Sequence, residues 1–156
     1  MEIDEDSARV SFPPPLIYLG MLALGLALDF MLPWQVTWPA WARVGAGALL
    51  IAAGIALSLA AAGRFRRADN DVRPWKSTTS IVDGGIYAHT RNPMYLGMLC
   101  AFLGLAAALS SLGALLMAIP LVIIIRSQVI AREEAYLTTK FGADYTAYQA
   151  RVRRWI

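Results

Sequence analysis

MYLGMLCAFLGLAAALSSLGALLMAIPLVIII, residues 94–125, runs for 32 residues without a charge. One helix of that length would be about 48 Å long, against a hydrocarbon layer of about 30 Å. Ser110-Ser111-Leu112-Gly113 interrupts the run near its middle, so it reads as two short helices folded into a hairpin. Pro93 suits the first turn of the leading helix, and Pro120 predicts a kink in the second.

Two further apolar runs precede it. Val44–Ala62 has no charge and is the clearest membrane span in the chain. Its Gly45, Gly47 and Gly54 would let a neighbouring helix approach closely. Gly45-Ala46-Gly47 has no strand before it, which excludes a nucleotide loop. Leu16–Leu32 follows Pro13-Pro14-Pro15 and carries one charge, Asp29, read as an interfacial carboxylate. Trp34, Trp38 and Trp41 in the connector between these runs suit an interfacial aromatic belt. Residues 1–12 are polar and read as loose. They are acidic rather than basic, and no small-residue cleavage site follows, so no cleavable signal is expected. The single cysteine, Cys100, excludes an internal disulfide and reads as a buried, inert thiol.

Composition agrees with a membrane protein. Hydrophobic residues make up 58% and charged residues 16% of 156, with mean hydropathy +0.51. A soluble domain carries about 25% charged residues. The net charge of +3 comes from Lys and Arg gathered in residues 63–93 and 126–156, next to apolar runs. That is the pattern of cytoplasmic segments beside membrane spans, not of a nucleic-acid surface.

The chain therefore reads as one all-α membrane domain over residues 1–156 with four transmembrane segments. They are placed at about 16–32, 44–62, 94–109 and 112–128, the third and fourth forming the hairpin. The cytoplasmic loop is 63–93, with Thr78–Val82 as a short extended piece. The fourth helix is expected to continue through Arg126 to about Lys140 and end at Phe141-Gly142, with Gly142 in a left-handed cap. C-terminal helices are expected at 129–140 and 145–152, the last capped by Asp144. Tyr145, Tyr148 and Val152 share one face of it, while Arg151, Arg153, Arg154 and Trp155 suit a membrane surface. Four segments put both termini on one side, with all the charge clusters.

Two polar clusters bracket the hairpin: Gly84–Gly97 and Arg126–Glu134. Arg91 and Arg126 offer forked donors for a carboxylate or phosphate. Glu133 and Glu134 offer acceptors for hydroxyls or an amine. Adjacent helical residues point about 100° apart, so the two glutamates should do different jobs. Arg126 lies seven and eight residues before them, on a shared helical face. Tyr87 and Tyr95 present rings that favour a cation, and Gly97 would admit a flat group close to the backbone. Such a set suits an amphoteric, nucleotide-like cofactor with a cationic centre. It is equally the set that membrane-edge residues would use to pair with one another. His89, the only histidine, reads as a base or as a structural side chain. No metal site is expected.

At these residues the chain resembles the isoprenylcysteine carboxyl methyltransferase and phospholipid methyltransferase superfamily. The resemblance rests on Gly85-Ile86-Tyr87, Thr90-Arg91-Asn92-Pro93-Met94-Tyr95-Leu96-Gly97, Glu133-Glu134, Leu137, Phe141-Gly142, Tyr145, Tyr148 and Arg151-Val152-Arg153. It runs from about residue 60 to the C-terminus.

The resemblance implies a methyltransferase using S-adenosylmethionine, with S-adenosylhomocysteine as product, held at the cytoplasmic face of a bacterial inner membrane. It implies a lipid or small lipophilic acceptor arriving from the bilayer, and no nucleic acid. By analogy Tyr87, His89, Arg91, Asn92, Pro93, Tyr95 and Gly97 line the cofactor pocket, joined by Glu133 and Glu134. Arg126, Glu133 and Glu134 are the candidate catalytic residues, Arg126 through acceptor handling. The eukaryotic carboxyl methyltransferases have His where this chain has Asn92, and an amide cannot serve as a base. The chain also lacks their extra N-terminal spans, which counts against a prenylcysteine substrate. Sterol reductases share features of the C-terminal half, so a nicotinamide-dependent membrane reductase and a non-catalytic membrane binding module are the alternative readings.

Overall fold

The computed structural model describes residues 4–10, 12–32 and 38–156, and every regular element among them is helical. Helix α1 is Pro14–Met31, α2 Ala40–Arg67, α3 Pro93–Ala108 and α4 Leu112–Ile124. A π-helical turn, Ile125–Ile130, carries α4 into α5, Ala131–Phe141, and α6 is Ala143–Arg151. Helices α1, α2 and the continuous Leu112–Phe141 rod are long and apolar enough to cross a membrane. Helix α3 has 16 residues, about 24 Å, and is shorter than the bilayer core.

Glycine sets the pairing of the four apolar helices. A Cβ on Gly47 would lie 2.6 Å from the Gly104 carbonyl oxygen, and one on Gly54 2.4 Å from that of Gly97. These residues recur every seven positions on antiparallel helices, so α2 and α3 touch backbone to backbone. Gly45, also expected to pack a neighbour, meets nothing. On the other side Gly25 of α1 meets Gly113 and Ala114 of α4 in the same way. In a bilayer, where apolar burial gives no driving force between helices, such close contact supplies much of the attraction. Tyr18 ties the pairs together by donating to the Tyr95 carbonyl at 2.9 Å.

The Ser110–Gly113 break falls where the sequence predicts it. Ser111 caps α4 by accepting from the Ala114 N–H at 2.9 Å, and Asp29 accepts from the Gly113 N–H at 2.7 Å. Arg43 donates to the Ala108 carbonyl and the Ser110 hydroxyl at this end. Asp29, expected as an interfacial carboxylate, is also the acceptor at the start of α4. Of the tryptophan belt, Trp34 lies outside the described residues, and Trp38 and Trp41 are exposed.

Several expectations are corrected. Helix α2 runs to Arg67, five residues past the expected end, with Arg64, Arg66 and Arg67 favourably placed at its negative pole. The fourth helix is one rod, as expected, but its register breaks in the π-turn: the Ala131 N–H bonds the Arg126 carbonyl five residues back. The wide turn lets Ile125, Val129 and Ile130 all face the core. Thr78–Val82 forms no strand. Instead the buried Asn70 side chain accepts from the Thr79 N–H and hydroxyl at 2.7 and 2.8 Å. Helix α6 starts at Ala143 with no side-chain cap, so Asp144 sits in its first turn. Gly142 has φ 54° and ψ −121°, a glycine conformation but not the left-handed helical one.

The largest correction is at the N-terminus, where residues 4–10 are a packed strap. Asp4 pairs with Lys76 and accepts from the Ser77 N–H, and Asp6 pairs with Lys140. Ala8 and Val10 enter the apolar core with Ile125 and Val129. The strap, the 68–92 loop and α5 meet at one end of the bundle, which puts the N-terminal segment and the C-terminal helices together.

Candidate functional site

The site forms where the loop turns into α3. Gly85 has φ 64°, and a Cβ there would lie 2.5 Å from Nε of Arg64. The short 3-10 helix Gly85–Ala88 turns Tyr87 inward against the Phe65 ring, with centroids 5.3 Å apart. The main-chain carbonyl of Tyr87 accepts from the Tyr148 hydroxyl at 2.7 Å. Asn92 precedes Pro93, whose fixed φ and missing N–H suit the first turn of α3. One turn into α3, Tyr95 points back toward α5.

The two polar clusters meet here. Tyr95 donates its hydroxyl to Glu133 at 2.6 Å. Glu134 takes a two-pronged contact from Arg154, Nε at 3.0 Å and an Nη at 2.6 Å, and lies 3.3 Å from an Nη of Arg91. The glutamates thus divide their work, as adjacent helical positions require. Glu134 is neutralised by two arginines. Glu133 has, among the described residues, the tyrosine hydroxyl alone. The apolar part of the rod ends at Ile130, so both carboxylates sit beyond it. Burial raises the Glu133 carboxyl, the Tyr95 hydrogen bond opposes this and Glu134 adds to it, leaving it at about 7. Burial likewise pushes Tyr145 of α6 up to about 12.

Between these elements lies an open cavity of about 810 Å³, counting the solvent at its mouth. Tyr87, Arg91, Asn92, Pro93, Tyr95, Glu133 and Glu134, all anticipated from sequence, line it. Among the described residues, three polar atoms buried there have no hydrogen-bond partner: the Tyr87 hydroxyl and two nitrogens of Arg91, Nε and an Nη. Leaving a buried donor unpaired costs about 1–3 kcal/mol, more for a charged group. Mutual pairing explains Tyr95–Glu133, Arg154–Glu134 and the ion pair from the Arg91 Nη to Glu134, but it does not explain the Tyr87 hydroxyl or the Arg91 Nε. Both belong to residues that line the cavity.

Three anticipated residues are placed elsewhere. His89 is exposed at the end of the 3-10 helix and does not line the cavity. Gly97 packs against α2, where a Cβ would meet Ser58 Oγ at 2.3 Å and the Gly54 carbonyl at 2.6 Å. The space a side chain would take there is filled by α2. Arg126 is exposed on the π-turn, because the wider turn rotates it off the Glu133–Glu134 face by about one residue. Conversely, Arg154, Tyr145 and Tyr148 belong to the site without having been singled out for it. The shared face of the tyrosines was a signal for the last two.

Comparison with known proteins bears on what such a cavity does. The family model described as phospholipid methyltransferase matches residues 42–144, from the start of α2 to the start of α6. The chain belongs to the phospholipid methyltransferase family. An uncharacterized protein of Haemophilus influenzae is 41% identical over 63 residues, which is 40% of this chain and 100% of that protein. No solved structure matches the chain.

Membership makes the chain a membrane methyltransferase by family, and the matched stretch contains both halves of the cavity. The family implies a methyl donor of the S-adenosylmethionine type. The residues present fit such a group. Arg91 has unpaired donors for a carboxylate, Glu133 offers an acceptor, the tyrosine rings favour a positive centre, and Pro93 and Leu137 give an apolar wall.

Proposed function

We propose that the cavity holds S-adenosylmethionine and that the protein transfers its methyl group to a lipid or small lipophilic acceptor at the cytoplasmic face of a bacterial inner membrane. The observation that carries this reading is the set of buried, unpaired donors on Arg91 and Tyr87 beside Glu133, in a chain of this family. When bound, the donor supplies an electrophilic methyl group on a sulfonium. The chain's own residues do the rest. Arg91 takes the anionic end of the ligand, and Glu133 with the faces of Tyr87 and Tyr95 favours its cationic parts. Asn92 acts through the backbone, donating its side-chain amide to the Arg154 carbonyl at 3.0 Å. The apolar wall excludes water, which strengthens each of these contacts.

The acceptor side follows from the same geometry. An amine acceptor must shed a proton, and Glu133 is the best-placed base because Glu134 is neutralised by arginines and His89 stands outside. A carboxylate acceptor needs only orientation, which leaves Arg126, exposed at the membrane boundary, to meet it. Placing both termini and the basic clusters on the cytoplasmic side follows the positive-inside rule. The family match does not favour the nicotinamide-dependent reductase.

The test is methyl transfer itself. Purified protein in lipid nanodiscs, given S-adenosylmethionine labelled in its methyl group and extracted bacterial lipids, should move label into the organic phase. Arg91→Ala should reduce that transfer at least tenfold. Label that stays in the aqueous phase across lipid and small-molecule acceptors would leave a non-catalytic binding module as the better reading.

A further inference from the structure

The C-terminal tail does more than lie on the surface. Residues 153 and 154 reach back to the loop before α3 and to α5. The Arg91 N–H donates to the Arg153 carbonyl at 3.0 Å. The Arg154 carbonyl accepts from the Thr90 hydroxyl at 3.2 Å and from the Asn92 amide at 3.0 Å. The Arg154 side chain meanwhile grips Glu134 through two nitrogens. Thr90 and Asn92 are buried, and the tail supplies the acceptor for the Thr90 hydroxyl and the Asn92 side-chain amide.

The charges around Glu134 give the tail a second consequence. Two arginines compete for one carboxylate. Arg154 holds both oxygens, while Arg91, with an Nη 3.3 Å from one of them, makes no hydrogen bond through Nε or that Nη. A forked arginine–carboxylate pair is stronger than a single point contact. Because Arg154 occupies the fork, Arg91 is left with one ion-pair contact to Glu134 and an Nε without a hydrogen-bond partner. Without Arg154, Arg91 would be the nearest cation to an enclosed carboxylate, and it would be drawn onto Glu134.

We propose that Arg154 is a positioning residue that occupies both oxygens of Glu134, limiting Arg91 to a single ion-pair contact so that its guanidinium can turn to the carboxylate of the methyl donor. This rests on the donor reading of the cavity.

The experiment is calorimetric titration of S-adenosylhomocysteine into the detergent-purified full chain, with thermal unfolding followed in parallel. Arg154→Gln should bind at least tenfold more weakly than the unaltered protein. Adding Glu134→Gln to it should restore affinity to within about threefold, because a neutral amide no longer captures Arg91. A purely structural role for Arg154 predicts no such rescue. Unchanged affinity in Arg154→Gln, or weak binding that the second substitution fails to restore, would overturn the inference and leave the donor reading intact. If Arg154→Gln does not fold, Arg154→Lys replaces it. Lysine keeps the charge but makes only a point contact, so binding should still weaken at least threefold, and wild-type affinity would overturn the inference. No binding by the unaltered protein would remove the donor reading and this inference together.

Discussion

Replacing Gly97 by alanine separates packing from ligand binding at a residue that the sequence offers to both. The added Cβ would sit 2.3 Å from Ser58 Oγ, 2.6 Å from the Gly54 carbonyl and 3.0 Å from the Ser58 nitrogen. The hydroxyl can rotate away, but the other two atoms are backbone in α2. The helices must therefore part by several tenths of an ångström along a contact that Gly47 and Gly104 continue. Overpacking of this kind costs about 1–3 kcal/mol. For a chain of this size that corresponds to a fall of about 5 °C in melting temperature. The assay is thermal unfolding in detergent alongside calorimetry with S-adenosylhomocysteine. Gly97→Ala should melt earlier, and the folded fraction should bind within about threefold of wild-type affinity, since Gly97 does not line the cavity. Unchanged melting together with lost binding would refute the reasoning and return Gly97 to the ligand site.

Other outcomes follow from the same geometry. The Glu133 carboxyl is raised to about 7, so its contribution to stability is present below about 4.5 and lost as pH rises through 7. Unfolding of the ligand-free protein should accordingly become easier between pH 5 and 8, and Glu133→Gln should flatten that dependence. Asp29→Ala removes the acceptor at the start of α4 and should cost about 0.5–2 kcal/mol, read by thermal unfolding, while binding at the opposite end stays unchanged. Arg126→Ala should leave S-adenosylhomocysteine affinity within twofold, because its side chain is outside the cavity; any loss should appear only in transfer to an anionic acceptor.

What the sequence makes legible is what local chemistry determines. Charge-free runs mark the apolar helices, Ser110–Gly113 marks the turn, and the clusters at 87–95 and 133–134 mark the two sides of one cavity. The misses depend on partners far away in the chain. Residues 4–10 look loose by composition, yet they are held by Lys76, Ser77 and Lys140, which no local pattern connects to them. Arg154 reads as a surface charge because its partner Glu134 lies 20 residues back, across the bend at Gly142. Gly97 had a usable signal. The seven-residue spacing of Gly47 and Gly54 matches that of Gly97 and Gly104, which is how two antiparallel helices would touch. The π-turn had none, since Ile125–Ile130 fits an α-helix equally well by propensity. Its effect on Arg126 was therefore hidden.

The central claim is that the orphaned donors of Arg91, together with Glu133, make a pocket for S-adenosylmethionine. The most direct measurement is side-by-side calorimetric titration of S-adenosylhomocysteine into the unaltered protein, Arg91→Ala and Glu133→Ala, each shown to be folded. The account predicts micromolar binding that falls at least tenfold in both variants. Binding that survives both substitutions, no binding to the unaltered protein, or binding of a reduced nicotinamide instead, would contradict it.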